Sequence, residues 1–321
     1  MASLNSKTRA PRNRTLTISS EEIARLQKRL VVDSGENSLP TLVEKTILGD
    51  SLRVLPKIPS SFADLLIVDP PYNLSKNFNG NRFSAMSSGD YEAYLDSWMG
   101  ELVRILKPEG SLYICGDWKC TSAIQRSLEN KLTVMNRISW GREKGRGALA
   151  NWKNSMEDIW FAVKNPEAYT FHADAVRLRR RVIAPYKTDG VPKDWQDSDC
   201  GKFRDTAPSN FWDDISIPFW SMPENTVHPT QKPEKLLAKL ILASSNPGDM
   251  VFDPFLGSGT TSVVAKKLGR RFCGIEQNLE YACLAEKRLE LAESDNSIQG
   301  YTDGIFWERN SLGAQKCKTK K

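Results

Sequence analysis

Leu65-Leu66-Ile67-Val68-Asp69-Pro70-Pro71-Tyr72-Asn73-Leu74 is the stretch on which the reading of the fold turns. A short apolar run that stops abruptly at turn residues has the signature of a strand buried on both faces of a parallel sheet. Asp69 then stands at the strand's carboxyl end, where open α/β sheets bind their ligands. The two prolines fix φ and withhold two backbone donors, so the loop is rigid and its carbonyls face outward as free acceptors. An exocyclic amine has two N–H donors. Asp69 and the Pro70 carbonyl can take one each, aiming the nitrogen lone pair, while Tyr72 offers a flat face to a base drawn out of a duplex. Asp69, Pro70, Pro71 and Tyr72 are therefore the candidate catalytic residues. The polar, glycine-containing loop 75–89 that follows is expected to be mobile until a nucleic acid binds.

Working outward, strand-like runs at 46–48, 64–68, 110–115, 134–140, 250–252 and 271–275 alternate with helical stretches, the pattern of a doubly wound α/β sheet. Residues 15–30 predict a short amphipathic helix with a Ser or Thr cap and acidic residues in its first turn. From about 141 to 225 the periodicity fails. That stretch holds Trp152, Trp160, Trp195, Trp212 and Trp220 and the run Arg177-Leu178-Arg179-Arg180-Arg181, and it reads as an inserted recognition segment rather than more sheet. The expected organisation is an arm and short helix (1–43), a catalytic half of the core (44–142), the recognition segment (143–225), a cofactor-binding half (226–292) and an extension with a basic tail (293–321).

A second motif, Asp253-Pro254-Phe255-Leu256-Gly257-Ser258-Gly259-Thr260-Thr261, follows a strand and enters the helix expected at 262–268. Glycines here allow close backbone approach to a ligand, and Glu276, at the end of the next strand, can accept from both hydroxyls of a ribose. No phosphate loop of the G-x-x-x-x-G-K-[ST] type is present, and the third glycine of a dinucleotide fingerprint is missing. A cofactor with a sugar and no pyrophosphate remains, and S-adenosylmethionine fits. The candidate cofactor-binding residues are Asp253, Phe255, Gly257, Ser258, Gly259, Thr260 and Glu276, with Asp50 and Asp69 at the ends of two other strands.

The composition bounds the partners. A net charge of +6 permits a polyanion without requiring one. The first fourteen residues carry Lys7, Arg9, Arg12 and Arg14, a mobile basic arm. Six cysteines without a C-x-x-C pair and only two histidines argue against zinc or a disulfide framework, so no metal is expected and the thiols read as those of a reduced, cytoplasmic chain. The longest apolar runs are far too short for a bilayer and no apolar signal segment opens the chain, so no membrane is expected. Ring methylation at cytosine C5 needs a thiolate nucleophile, usually from a Pro-Cys pair, and none of the 17 prolines precedes a cysteine.

Asp69-Pro70-Pro71-Tyr72 ahead of the glycine-rich motif, with an arginine-bearing segment between them, resembles the β-class (permuted) amino-methyltransferases of restriction–modification systems, over roughly residues 44–292. The resemblance implies a Rossmann-like, mostly parallel seven-stranded sheet with helices on both faces and an inserted target-recognition segment. It implies methyl transfer from S-adenosylmethionine to a base amine of double-stranded DNA. An aspartate at the head of the loop leans towards adenine N6, and serine there is the commoner cytosine-N4 form. RNA or a protein glutamine amide is the rival acceptor, although Asn-Pro-Pro-Tyr is the form expected for glutamine. His228-Pro229-Thr230-Gln231-Lys232-Pro233 matches the family motif that helps bind the cofactor's methionine end, with His228, Thr230 and Lys232 as contacts and Lys232 paired to the carboxylate. Ile138-Ser139-Trp140-Gly141-Arg142 resembles the segment lining the target-base pocket, where Trp140 would flank the base, although lysine often stands where this chain has Arg142. Arg177, Arg179, Arg180 and Arg181 are the candidate DNA-binding residues, set against a plain solvated basic face. The recognition segment is also similar to that of enzymes acting on AAGCTT. The resemblance further implies a nucleoid-associated prokaryotic enzyme, a monomer or homodimer, with a restriction endonuclease acting on the same site.

Overall fold

A computed structural model of the chain describes residues 10–34, 42–78, 81–142, 150–182, 187–192, 194–198 and 201–308. The apolar run Ala63–Val68 lies in the middle of its main sheet. The strands stand in the order Val31–Val32, Lys45–Leu48, Arg271–Glu276, Met250–Asp253, Ala63–Val68, Leu106–Gly116, Met156–Val163, Thr133–Gly141 and Phe211–Trp212. Adjacent strands are parallel throughout, except that Met156–Val163 runs antiparallel to both neighbours.

Both faces are covered, which is why the central strand is apolar without alternation. Leu65 and Ile67 join a core formed with the helices Glu234–Ser244 and Thr260–Lys267. Leu66 and Val68 point the other way, into a core with Ser88–Ile105 and Thr121–Glu129. The next strand after Met250–Asp253 lies on one side of the sheet and the next after Ala63–Val68 on the other. Their shared carboxyl end is thus a topological switch point, the place where such sheets form a crevice. Asp253 ends one of these strands and Asp69 follows the other.

All six strands expected from the sequence form, and so does the first helix, Ser20–Leu26, closed by a capping box of Ser19 and Glu22. Seven strands make the body of the sheet, and the dipeptides Val31–Val32 and Phe211–Trp212 extend it to nine. The stretch 143–225 needs correction as an insert devoid of sheet. Met156–Val163 is a central strand, bonded on both sides, and Phe211–Trp212 is an edge strand. The run Ile159 to Val163 packs on both faces and so shows no periodicity. What remains outside is a side sheet of five strands, Gln196–Ser198, Gly201–Thr206, Leu178–Arg181, Ile305–Trp307 and Tyr301–Thr302. The last two come from the segment read as an extension, so the recognition segment and that extension share one sheet.

The loop after Tyr72 forms a short hairpin of Lys76–Phe78 and Asn81–Phe83. Lys7, Arg9, the basic tail at 316–321, Cys200 and Cys317 lie outside the described residues. Cys115, Cys120, Cys273 and Cys283 are buried free thiols. Among the described residues, no helix is long and apolar enough to cross a membrane, and no cluster of side chains could hold a metal ion.

Candidate active site

At the switch point a cavity of about 760 Å³ opens, lined by residues from both halves of the chain. Asp69, Pro70, Pro71 and Tyr72 form one wall, with Trp140, Arg142 and Glu157 beside them. Asp50, Phe255, Gly257 and Glu276 form another, and His228, Thr230 and Lys232 close the side between. The Pro71 carbonyl is fixed by a hydrogen bond from the Tyr91 hydroxyl (3.0 Å).

Charged and polar groups meet around Asp69. Lys232 Nζ donates to both Asp69 oxygens, at 2.7 and 2.6 Å, and lies 3.1 Å from the Tyr72 hydroxyl. That hydroxyl reaches Asp69 Oδ1 at 3.0 Å and Glu157 Oε2 at 3.1 Å. Glu157 is also 3.5 Å from Lys232 Nζ and forms an ion pair with Arg142, Oε1 to Nη1 2.8 Å. Burial alone would lower the Lys232 pKa, but Asp69 and Glu157 outweigh it and raise it, so the amine stays an ammonium. Burial first, and the two carboxylates second, push the Tyr72 phenol well above its ordinary value, so it remains a neutral donor. The sequence reading set Lys232 against a cofactor carboxylate; the structure seats it on Asp69.

On the cofactor side, Glu276 accepts from the backbone N–H groups of Gly257 and Asn278, both at 2.8 Å. Burial nevertheless pushes its pKa up to about 7. Gly257 has φ +56°, and a Cβ there would meet His228 Nε2 at 3.0 Å. His228 packs edge-on to Tyr281 with its pKa lowered to about 3 by burial and by Lys232, which leaves a neutral imidazole. Asp50 caps the short helix Ser51–Val54 through Leu52 N (2.8 Å).

Several predicted contacts lie deeper. Asp253, Ser258 and Thr260 line a small inner cavity beneath the main one. Asp253 accepts from Phe255 N (2.9 Å) and the Thr261 hydroxyl (2.5 Å), and burial pushes its pKa up to about 7. Thr260 faces Arg288 at 2.9 Å, so its hydroxyl is spent inside the protein. The Ser258 hydroxyl is buried with no protein partner, a polar orphan at the small inner cavity. Gly259 lines neither space. Its φ is +83°, and a Cβ would lie 2.8 Å from Ala285 Cα, so the residue is needed for helix packing.

Sequence reasoning missed Gln231 and Glu157. Gln231 clips its loop shut, accepting from Thr226 N and Oγ1 (2.9 and 2.7 Å) and donating to the Glu224 carbonyl (2.7 Å). Nothing in an isolated glutamine announces this. Glu157 had a weak signal: an acid heading an apolar strand, directly opposite Trp140 in the sheet register. Trp140 itself is buried, donates to the Ile215 carbonyl (2.9 Å) and still contributes to the cavity wall.

The arginine run is dispersed by the alternation of its strand. Arg179 forms a two-pronged pair with Asp205 (2.7 and 2.8 Å) and stacks on Trp307. Arg177 pairs with Asp174 and Arg180 with Asp213. Arg181 is exposed, and its backbone N–H is held by Glu308. The run is therefore not one block of cations presented together.

Comparison with known proteins follows this geometry. The DNA methylase family model matches residues 63–287. The chain is 38% identical over 260 residues to the DNA adenine methyltransferase YhdJ of Escherichia coli, covering 77% of this chain and 83% of that one. It is 34% identical to the type II methyltransferase M.HpaI of Haemophilus parainfluenzae, over 77% of this chain and 74% of that one. Among solved structures it resembles M1.HpyAVI in complex with SAM (25% identity, TM-score 0.52, 76% of this chain and 98% of that one). In fold it also resembles the cytosine-N4-specific PvuII DNA methyltransferase (18% identity, TM-score 0.57, 80% and 92%). With the family model running from the strand Ala63–Val68 through the glycine-rich turn and into the helix after Glu276, the chain belongs to the DNA methylase family.

Proposed function

We propose that the chain transfers the methyl group of S-adenosylmethionine to N6 of adenine in a short site of duplex DNA. One observation carries this reading above the rest. The carboxylate of Asp69, on its rigid Pro-Pro loop, faces the same cavity as Glu276 and Gly257, so an amine acceptor and an adenosine-bearing donor can lie side by side. The name of the relative at 38% identity agrees with a DNA substrate and with adenine.

The bound cofactor supplies an electrophilic methyl group on a sulfonium. The chain's residues do the rest by position and charge. Glu276 accepts from ribose hydroxyls, and Gly257 lets the His228 ring pack against the cavity wall, where a Cβ would meet it. The donors of the Thr230–Lys232 loop, which line the main cavity, fit a polar amino-acid end. Asp69 and the Pro70 carbonyl each accept one N–H of the adenine amine, leaving its lone pair directed at the methyl carbon. As the N–C bond forms, the methyl–sulfur bond would break with its electron pair left on sulfur, and Asp69 stabilises the positive charge that develops on the amine. The amine proton then leaves, with Asp69 as the nearest acceptor. Tyr72 and Trp140 bound the space for the extruded base.

The cavity opens at the carboxyl ends of the strands, so the duplex approaches from that side. The reading retains a monomer or homodimer working near the nucleoid, and a restriction endonuclease of matching specificity as its counterpart. Incubation with labelled cofactor and duplex DNA, tRNA or release factors tests the substrate class: label in DNA alone is expected, and label only in RNA or protein would overturn it. AAGCTT is the first duplex to assay.

A further inference from the structure

Glu157 is buried, it stands on the one antiparallel strand of the sheet, and its two oxygens serve different partners. Oε2 lies 3.1 Å from the Tyr72 hydroxyl and 3.5 Å from Lys232 Nζ, while Oε1 lies 2.8 Å from Arg142 Nη1. Arg142 Nε is itself buried without a partner at the cavity wall. A buried carboxylate with no function would be an expensive feature, because burial of an uncompensated charge is strongly unfavourable. Here two cations and a phenol compensate it, and all three line the same cavity as Asp69.

We infer that Glu157 is a positioning residue for methyl transfer, acting through Tyr72, Lys232 and Arg142 on the geometry and charge around Asp69. This rests on the proposed amine methylation. Asp69 Oδ1 already receives Lys232 and Tyr72, and Oδ2 receives Lys232 again. For Asp69 to accept an incoming amine N–H, some of this load must move. Glu157 is the second carboxylate within reach of the same ammonium and the same hydroxyl, so either donor can shift towards it by rotation of a few bonds. It also keeps the cluster balanced: two carboxylates, Asp69 and Glu157, against two cations, Lys232 and Arg142. Without Glu157 the cluster would carry an excess positive charge, opposing the cation that forms on the amine.

The test uses the full chain with duplex DNA and cofactor, comparing wild type, Glu157→Gln, Glu157→Asp and, as a control from the same strand, Asp158→Asn. Asp158 is also buried but faces Ser139 and Arg137. Glu157→Gln is expected to lower kcat about tenfold to a hundredfold, with KM for the cofactor within about twofold of wild type. Its kcat profile should move to lower pH, because loss of a negative charge favours deprotonation of its neighbours. The groups facing Glu157 are Asp69, Tyr72, Lys232, Arg142 and Cys115, with Asp253 beyond Asp69. Glu157→Asp keeps the charge but shortens the reach, so its kcat should fall with the profile unmoved. Asp158→Asn should lower thermal stability and leave the profile where it was. Folded Glu157→Gln protein with near-normal kcat and an unshifted profile would overturn the inference; should that variant not fold, wild-type kcat in Glu157→Asp would do so. Absence of transfer by the wild-type chain would instead sink the underlying reading.

Discussion

Asp69 is held by both Lys232 and Tyr72, and the sharpest prediction belongs to it. Asp69→Ala removes the amine acceptor and leaves Glu276 and Gly257 in place. Its kcat should drop about a thousandfold, while cofactor affinity, measured by calorimetry, stays within about threefold. Near-normal turnover would remove Asp69 from the mechanism. Glu276 gives a pH-dependent prediction. Its pKa is raised to about 7, so below that pH the carboxyl is protonated and cannot accept from both ribose hydroxyls. Cofactor binding should tighten as pH rises from 6 to 8, and Glu276→Gln should flatten that dependence. The sign for stability is opposite: a carboxyl with a raised folded-state pKa contributes stability below its unfolded value of about 4.5 and loses it as pH climbs through 7. Asp69, Tyr72, Gly257 and Glu276 were legible in the sequence because each sits in a run whose neighbours fix its conformation. Glu157 and Gln231 were not, since their roles depend on partners 85 and 5 to 7 positions away in the chain.

At the scale of elements, the sequence made strands legible wherever an apolar run ended on an acid or glycine. It concealed Met156–Val163, whose two covered faces erase the alternation that marks a strand. The turn into helix Thr260–Lys267 holds a further test. Gly259 combines a positive φ with close contact to Ala285, so Gly259→Ala should cost about 2–4 kcal/mol in denaturant unfolding. An unchanged midpoint would mean that the turn relaxes freely. Helix Glu234–Ser244, which carries the Lys232 loop at its start, is anchored from below by Lys235 and Lys239, both paired to the buried Asp214 (2.7 and 2.9 Å). Asp214→Ala would strand two buried ammonium groups and should destabilise the chain by about 3–5 kcal/mol. A loss below 1 kcal/mol, read from the same unfolding curves, would contradict that account.

Over the whole molecule, the two motifs lie far apart in the chain and meet because Met250–Asp253 pairs directly with Ala63–Val68. That adjacency places one cavity between them. The side sheet carrying the arginine run has a structural part to play as well as a basic one. Arg179→Ala should therefore lower stability by releasing Asp205, while the slope of DNA affinity against salt hardly changes; a slope reduced by about one unit would reassign Arg179 to a phosphate. The central claim is tested most directly by incubating the purified chain with labelled S-adenosylmethionine and mixed-sequence duplex DNA, then digesting the product to nucleosides. The account predicts label in N6-methyladenine, lost with Asp69→Ala; label in N4-methylcytosine, or none in DNA, would contradict it.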